Sequence, residues 1–392
     1  MRGLEIPPRQ EDFTADPVEL FFDLSYVYAF SQLVYRLIHE PTWSGAGRTL
    51  LLFMLLWIPW AQFHWSANAV SGNSRTVRAW FLVATVAAIP MGASVTTAYD
   101  TGGPVFALSQ AVILAMGLLT MIVGLDNDSV EYRSIRSYAV PNWIAMGIVV
   151  VGAFLPDPAR TIAWVLALLV VAILGMRVAG GRQWIVRAGH FAERHGLIVI
   201  IALGEVIVAT ALGISNVVGG EAEGAAATGT VLLVTLGAAG VFAGLLWWAY
   251  FDRPLPAWEH GAEQLEGPER GRFARDVWTL WHVPIVTGVI ASAAALEEVT
   301  LHPKEPLPLE FRVMLAAGVC LFLGGVAGAV WRAFRIVGWE RVGAMVVVAA
   351  FLLTASGLHG LWLVLVLDAT LAVMLVVESI RVRTPTTVAT TA

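Results

Sequence analysis

Apolar runs long enough to cross a bilayer, roughly 20 residues each, recur along the whole chain. They fall near 20–38, 49–66, 79–98, 104–124, 139–155 and 160–178, and again near 192–214, 229–250, 277–296, 311–334, 341–356 and 359–378. The pattern predicts twelve membrane-spanning helices. Only Gly357 and Gly360 divide the last two runs. No linker or low-complexity stretch interrupts the series.

Composition agrees with that reading. Hydrophobic residues make up 58% of the 392 positions and charged residues 14%, against about 45–50% and about 25% in an ordinary globular domain. Mean hydropathy is +0.73. So little charge does not cover so much apolar side chain in water, so the expected fold class is an all-α polytopic membrane protein. Net charge is −5, which offers no basic surface and excludes nucleic acid as a partner. The single cysteine, Cys320, lies in an apolar run and forms no intrachain disulfide. The opening MRGLEIPPRQEDFTADP is polar and acidic, which is not the pattern of a cleaved signal peptide. Several of the sixteen Trp residues sit where apolar runs end, as interfacial anchors do.

Arginine orients the series. With the N-terminus inside, 18 basic residues fall on inner segments, among them Arg75, Arg78, Arg133, Arg136, Arg177, Arg182, Arg253 and Arg341. The outer segments carry four: Arg48, Arg160, Lys304 and Arg312. This bias predicts both termini on the cytoplasmic side of the cell membrane.

The midpoint of the chain falls at the seventh run, and the two halves share features. Span 2 ends LLWIPWAQFHW and span 8 ends LLWWAYFD; span 3 enters as RAWFLVATVAAIPMGAS and span 9 as RDVWTLWHVPIVTGVIAS. Two parallel six-helix repeats are therefore expected, related by an axis along the membrane normal, with spans 1 and 7 as mates. The expected organisation is a cytoplasmic segment over 1–17, a first half over 18–180, a second half over 181–380 and a cytoplasmic tail over 381–392.

Ionisable residues inside apolar runs cost from about 2.5 kcal/mol upward and are functional candidates for that reason. Span 1 opens Asp16-Pro17-Val18-Glu19, capping-box chemistry that gives Glu19 an ordinary structural role. Asp23 lies a full turn further in and shares a helical face with Glu19, Tyr26 and Phe30. Span 7 carries His190, Glu193 and Arg194, and Glu205 three turns on, pointing the same way as Arg194. Gly204 beside Glu205 admits close approach of another helix. His282 next to Pro284, and Asp368 inside LWLVLVLDATLAVMLVV, complete the set. His64 and Asn68 near the end of span 2 are weak signals alone, Tyr250 and Asp252 close span 8 at the cytoplasmic face, and Glu297 and Glu298 read as interfacial. His190 and Glu193 have the spacing to share a metal ion, but no second histidine pair accompanies them, so no metal site is expected. No phosphate-binding loop, GxSxG, HExxH or CxxC motif occurs, and Asp126 and Asp128 around Asn127 make no diphosphate–magnesium repeat. No cofactor is expected.

Four stretches, VELFFDLSYVYAFSQL at 18–33, HFAERHGLIVIIALGE at 190–205, WWAYFD at 247–252 and WHVPIVTGVIASAAALEE at 281–298, together resemble the bacterial low temperature requirement protein A (LtrA) family. The resemblance implies a multi-pass membrane protein and carries over Glu19, Asp23, His190, Glu193, Arg194, Glu205 and His282 as family motif positions. After Asn68 the family commonly has acidic residues, whereas this chain reads AVSGNSR. FFDLSYVYAF is also similar in style to the FSDG-type first helix of a two-repeat potassium-channel family, without its glycine.

Three functions fit these residues. The first is a transporter or channel for a small cation, proton or small solute that uses the intramembrane carboxylates. The second is an intramembrane enzyme doing acid–base or carbocation chemistry on a lipid or isoprenoid. The third is a membrane sensor or assembly factor without turnover. The expected partners are membrane lipids and a small ion, solute or lipid ligand.

Overall fold

The computed structural model describes residues 15–69, 75–122, 130–175, 186–218 and 229–383. Most of the 1–17 segment, the altered stretch after Asn68, Arg177, Arg182, the Asp126–Asp128 loop and the tail beyond Arg383 lie outside the described residues. The chain is helical throughout those described, with no strand among them. The first half runs α1 (Pro17–His39), α2 (Trp43–Ala69), α3 (Arg75–Ala93), α4 (Gly103–Ile122), α5 (Val130–Ala153) and α6 (Ala159–Val170), the last continuing into a π-helical turn at Val171–Gly175. The second half runs α7 (Ala188–Val218), α8 (Gly229–Phe251), two short helices α9 (Pro254–Glu263) and α10 (Gly267–Phe273), and a π-helical stretch Ala274–Leu280. It ends with α11 (His282–Leu301), α12 (Leu309–Phe334), α13 (Trp339–Thr354) and α14 (Gly360–Arg383).

Local chemistry sets several boundaries. Asp16 caps α1, its carboxylate accepting from the Val18 amide at 3.1 Å, with Pro17 in the first turn. Arg335 ends α12 in the left-handed region at φ 60°. Ser356 and Gly357 separate α13 from α14, where Pro306 and His359 form a short bridge. Pro59, Pro90 and Pro141 lie inside α2, α3 and α5, and each leaves a carbonyl one turn earlier without its helical donor.

Among the described residues, nine helical stretches are long and apolar enough to cross a membrane. These are α2 to α5, α7, α8 with α9, α10 with α11, α12 and α14. The twelve predicted runs all coincide with helices, but three fall short of this measure. The first is α1, which carries Glu19, Asp23 and Arg36 in its apolar run. The other two are α6 with 12 residues before its π turn and α13 with 16.

Packing follows the chain in two series. In the first, α1 lies on α3, α3 on α4, α4 on α5 and α5 on α6; in the second, α7 lies on α11, α11 on α12, α12 on α13 and α13 on α14. The series meet where α1 packs against both α7 and α11. The closest pair is α11 and α12, whose backbones nearly touch. A Cβ on Gly318 would sit 2.8 Å from the Gly288 carbonyl and 2.9 Å from the Ser292 nitrogen. Small residues here let two helices meet by dispersion contact alone, the main attraction left between helices in lipid.

Gly318→Leu is expected to destabilise the protein by about 1–3 kcal/mol through overpacking, read as a lowered melting temperature in detergent. Gly343→Leu, at a position with nothing within 4 Å of an added Cβ, is expected to leave the melt unchanged.

Candidate functional site

The polar residues buried at the junction of the two series come from opposite helix ends. The starts of α1, α7 and α11 and the ends of α2 and α8 all reach the same end of the bundle. At the centre is Arg194 of α7, wholly buried. Its Nη1 donates to Glu19 Oε2 at 2.5 Å and its Nη2 to Asp23 Oδ1 at 2.7 Å. One guanidinium therefore holds two carboxylates one turn apart on α1, a use of the planar fork that an ammonium does not reproduce. His190 Nε2 donates to the same Glu19 oxygen at 2.8 Å, and Trp60 Nε1 of α2 donates to Asp23 Oδ1 at 2.9 Å.

Around this ion pair lies a nest of rings. His64 of α2 stacks on His190 at 5.5 Å and on Trp60 at 5.7 Å between centroids, and meets His195 edge-on at 4.6 Å. His195 meets His282 of α11 at 4.8 Å. His282 Nδ1 donates to the Val277 carbonyl at 3.1 Å, so its Nε2 accepts from the Tyr250 hydroxyl at 2.6 Å. His195 Nδ1 donates to the Phe191 carbonyl at 2.9 Å, leaving an Nε2 lone pair with no partner. Neither nitrogen of His64 has a hydrogen-bond partner, nor does the Tyr26 hydroxyl. Four imidazoles thus bridge α2, α7 and α11, with proton donors and acceptors still free among them.

A second polar point lies eleven residues past Arg194, about 16 Å along α7 at 1.5 Å per residue. There Glu205 Oε2 accepts from the Ser31 hydroxyl of α1 at 2.7 Å, and Oε1 has no partner. Glu297 lies further out, near the far end of α11, where its backbone carbonyl approaches Gly213 of α7.

The sequence-predicted residues divide accordingly. Glu19, Asp23, His190, Arg194 and His282 come together, and Glu205 faces α1 as Arg194 does. Glu19 departs from the capping expectation: Asp16 alone caps the helix, and the Glu19 carboxylate goes to His190 and Arg194 instead. Glu193 turns away and accepts from the Ala15 amide at 2.7 Å, so it does not join His190 in a shared ligand set. No group of three metal-ligating side chains occurs among the described residues. Asp368 is not part of the cluster. It is buried on α14, which packs on α8 and α13, and it makes no hydrogen bond or ion pair with the cluster residues. Sequence reasoning missed His195, Ser31 and Trp60, while Tyr26 was already placed on the face of Asp23. The available signal for His195 was its position one residue after Arg194, four after Phe191 and five after His190, on the flank of the same helical face.

These features define an integral membrane helical protein with a buried ionic and histidine cluster. Its sequence matches the family described as Bacterial low temperature requirement A protein (LtrA) over residues 14–377, and the chain belongs to that family. It is also similar to Uncharacterized protein RA0937 of Rhizobium meliloti (strain 1021), 26% identical over 351 residues that span 86% of this chain and 82% of the relative. No solved structure matches it significantly.

Removing Arg194 would leave two buried carboxylates uncompensated, and breaking a buried pair in this way costs about 3–5 kcal/mol. Arg194→Met is expected to melt at much lower temperature or to elute as aggregate on size exclusion. The triple variant Glu19→Gln/Asp23→Asn/Arg194→Met, which removes all three charges together, is expected to regain most of the loss.

Proposed function

We propose that this chain is a membrane transport protein that moves protons, alone or coupled to a small cation or solute, along the buried ionisable groups of α1, α7 and α11. In this reading twelve helices cross the cell membrane with both termini in the cytoplasm, and two parallel six-helix halves relate α1 to α7. The recurrence of one packing order in both halves supports the repeat, with α9 and α10 inserted in the second. The orientation rests on the arginine bias.

One observation carries the proposal: unneutralised Glu205, buried and hydrogen-bonded only by Ser31. An intramembrane carboxyl without a cation beside it is expensive, and either oxygen is suited to take up and release a proton. The rest of the line supplies neighbours on both sides. Glu297 lies beyond Glu205 toward the outer end. Toward the inner end come the free Tyr26 hydroxyl, then Asp23 and then Glu19 with His190, while His64, His195 and His282 lie beside these groups. Arg194 pairs with both Asp23 and Glu19, and their carboxylates stand next along the line for a proton arriving from Glu205. Protons pass between such groups through hydroxyl and imidazole carriers without opening a wide pore.

A second reading, an enzyme acting on a lipid or isoprenoid, is favoured by an apolar cavity of about 290 Å³. Trp57, Trp65, Leu168, Arg275 and Thr279 are among its lining residues, and Trp57 also packs edge-on against His195. It would require a distinctive lipid to copurify with the protein and be seen in extracts by mass spectrometry.

In liposomes carrying a pH-sensitive dye under an imposed potential, wild-type protein is expected to pass protons. Glu205→Gln and Asp23→Asn are expected to abolish that flux while the protein remains monodisperse, and Ser31→Ala to reduce it. Undiminished flux in both carboxylate variants would overturn the proposal.

A further inference from the structure

Away from this line, the first half contains a small pocket in its own core, apolar except for two amide side chains. It lies among α2, α4, α5 and the α6 π turn, and Leu55, Pro59, Gln110, Asn142, Met146 and Val171 are among its walls. Its volume is about 20 Å³, enough for one water molecule, which needs about 10–15 Å³ by this measure, and too small for a larger ligand. Two amide side chains serve it. Gln110 is 1% exposed, and neither its oxygen nor its nitrogen has a hydrogen-bond partner. Asn142 is 2% exposed; its Nδ2 donates to the Tyr138 carbonyl at 2.8 Å, and its Oδ1 has no partner.

Irregular backbone converges on the same spot. Pro59 has no N–H, so the Leu55 carbonyl one turn earlier lacks its helical donor. The π turn at Val171–Gly175 begins at another wall residue, and such turns often mark functional positions. Buried amides left without partners cost about 1–3 kcal/mol each. The two amides share with Leu55 and Pro59 the wall of a space of one water volume.

We propose that Gln110, Asn142 and the Leu55 carbonyl bind one internal water molecule, which takes the place of the N–H that Pro59 removes. The water accepts from Gln110 Nε2 and donates its two protons to the Leu55 carbonyl and to Asn142 Oδ1. Those are three hydrogen bonds, the usual number for a buried water. A cation is the poorer occupant, because no carboxylate lines the pocket and Gln110 presents an N–H₂ as well as an oxygen. The bound water ties α2 to α4 and α5 at the one place where α2 is broken. One turn further along α2, Gln62 is 1% exposed with both amide atoms unpartnered. It faces Gly117 of α4, where an added Cβ would lie 3.1 Å from Gln62 Nε2, so the polar seam continues between these two helices.

Met146 provides the test, because it lines the pocket and methionine is readily oxidised. X-ray radiolysis of the full chain in detergent makes hydroxyl radicals from bound as well as bulk water, and mass spectrometry counts the sulfoxide formed. Met146, 6% exposed, is expected to oxidise several-fold faster than Met91 of α3, 0% exposed. Gln110→Leu/Asn142→Leu is expected to bring Met146 down to the Met91 rate. Met146 reacting no faster than Met91 in the wild type would overturn the proposal, since the pocket would then be dry. So would fast oxidation that persists in a folded double variant, which would mean bulk solvent reaches Met146. The wild-type comparison can still overturn the proposal even if the double variant fails to fold.

Discussion

One guanidinium holds the two halves of this protein in register. Arg194 reaches from α7 to two carboxylates on α1, and those two helices begin the two packing series. A buried charge cannot slide by a turn without leaving its partners, because each one left unpaired would lose several kcal/mol. The ion pair therefore fixes the rotation and height of α7 against α1 more tightly than apolar contact does, since in lipid any greasy surface is nearly as good a neighbour as another. The positions of the histidines follow. His190 can touch Glu19 only in this register, and His64 stacks on His190 only because Trp60, one turn earlier on α2, is held to Asp23.

The cluster and the glutamate above it divide the labour of charge between them. Near the start of α1, two carboxylates share one guanidinium, and His190 and Trp60 complete their hydrogen bonds. Glu205 has a single serine hydroxyl on one oxygen. A paired group is held in one state, whereas an unpaired carboxyl changes state with little reorganisation of its surroundings. The same helix, α7, thus carries a paired charge at one depth and an unpaired carboxyl at another.

Hydropathy made the helices legible, because every apolar run in the sequence lies on one. Asp23, Arg194 and Glu205 were legible for the complementary reason: a full charge in such a run stands out. The remainder depended on which helices meet. Glu19 reads locally as a capping residue, and only the approach of α7 diverts its carboxylate to His190 and Arg194. Asp368 interrupts its run as plainly as Asp23 does, yet α14 carries it away from the cluster, which no spacing within one helix reveals. His195 matters through His64 and His282, which lie more than eighty residues away on either side. Neutral amides such as Gln62 and Gln110 scarcely alter a hydropathy profile, so the seam between α2 and α4 was silent.

Glycine and proline set where these helices are held closely and where their hydrogen-bond ladders are broken. In the second half, α11 and α12 meet with their backbones in contact at Gly288 and Gly318, so neither can tilt without opening a void or driving one main chain into the other. In the first half, α2, α3 and α5 each contain a proline, and each lacks a rung of its hydrogen-bond ladder where it bends most easily. Pro284 makes a similar break in the second half, at the join of the π-helical stretch and α11. Since α1 packs against α3 on one side and is tied to α7 on the other, any displacement of α1 along α7 must break the Ser31–Glu205 hydrogen bond together with the ion pair.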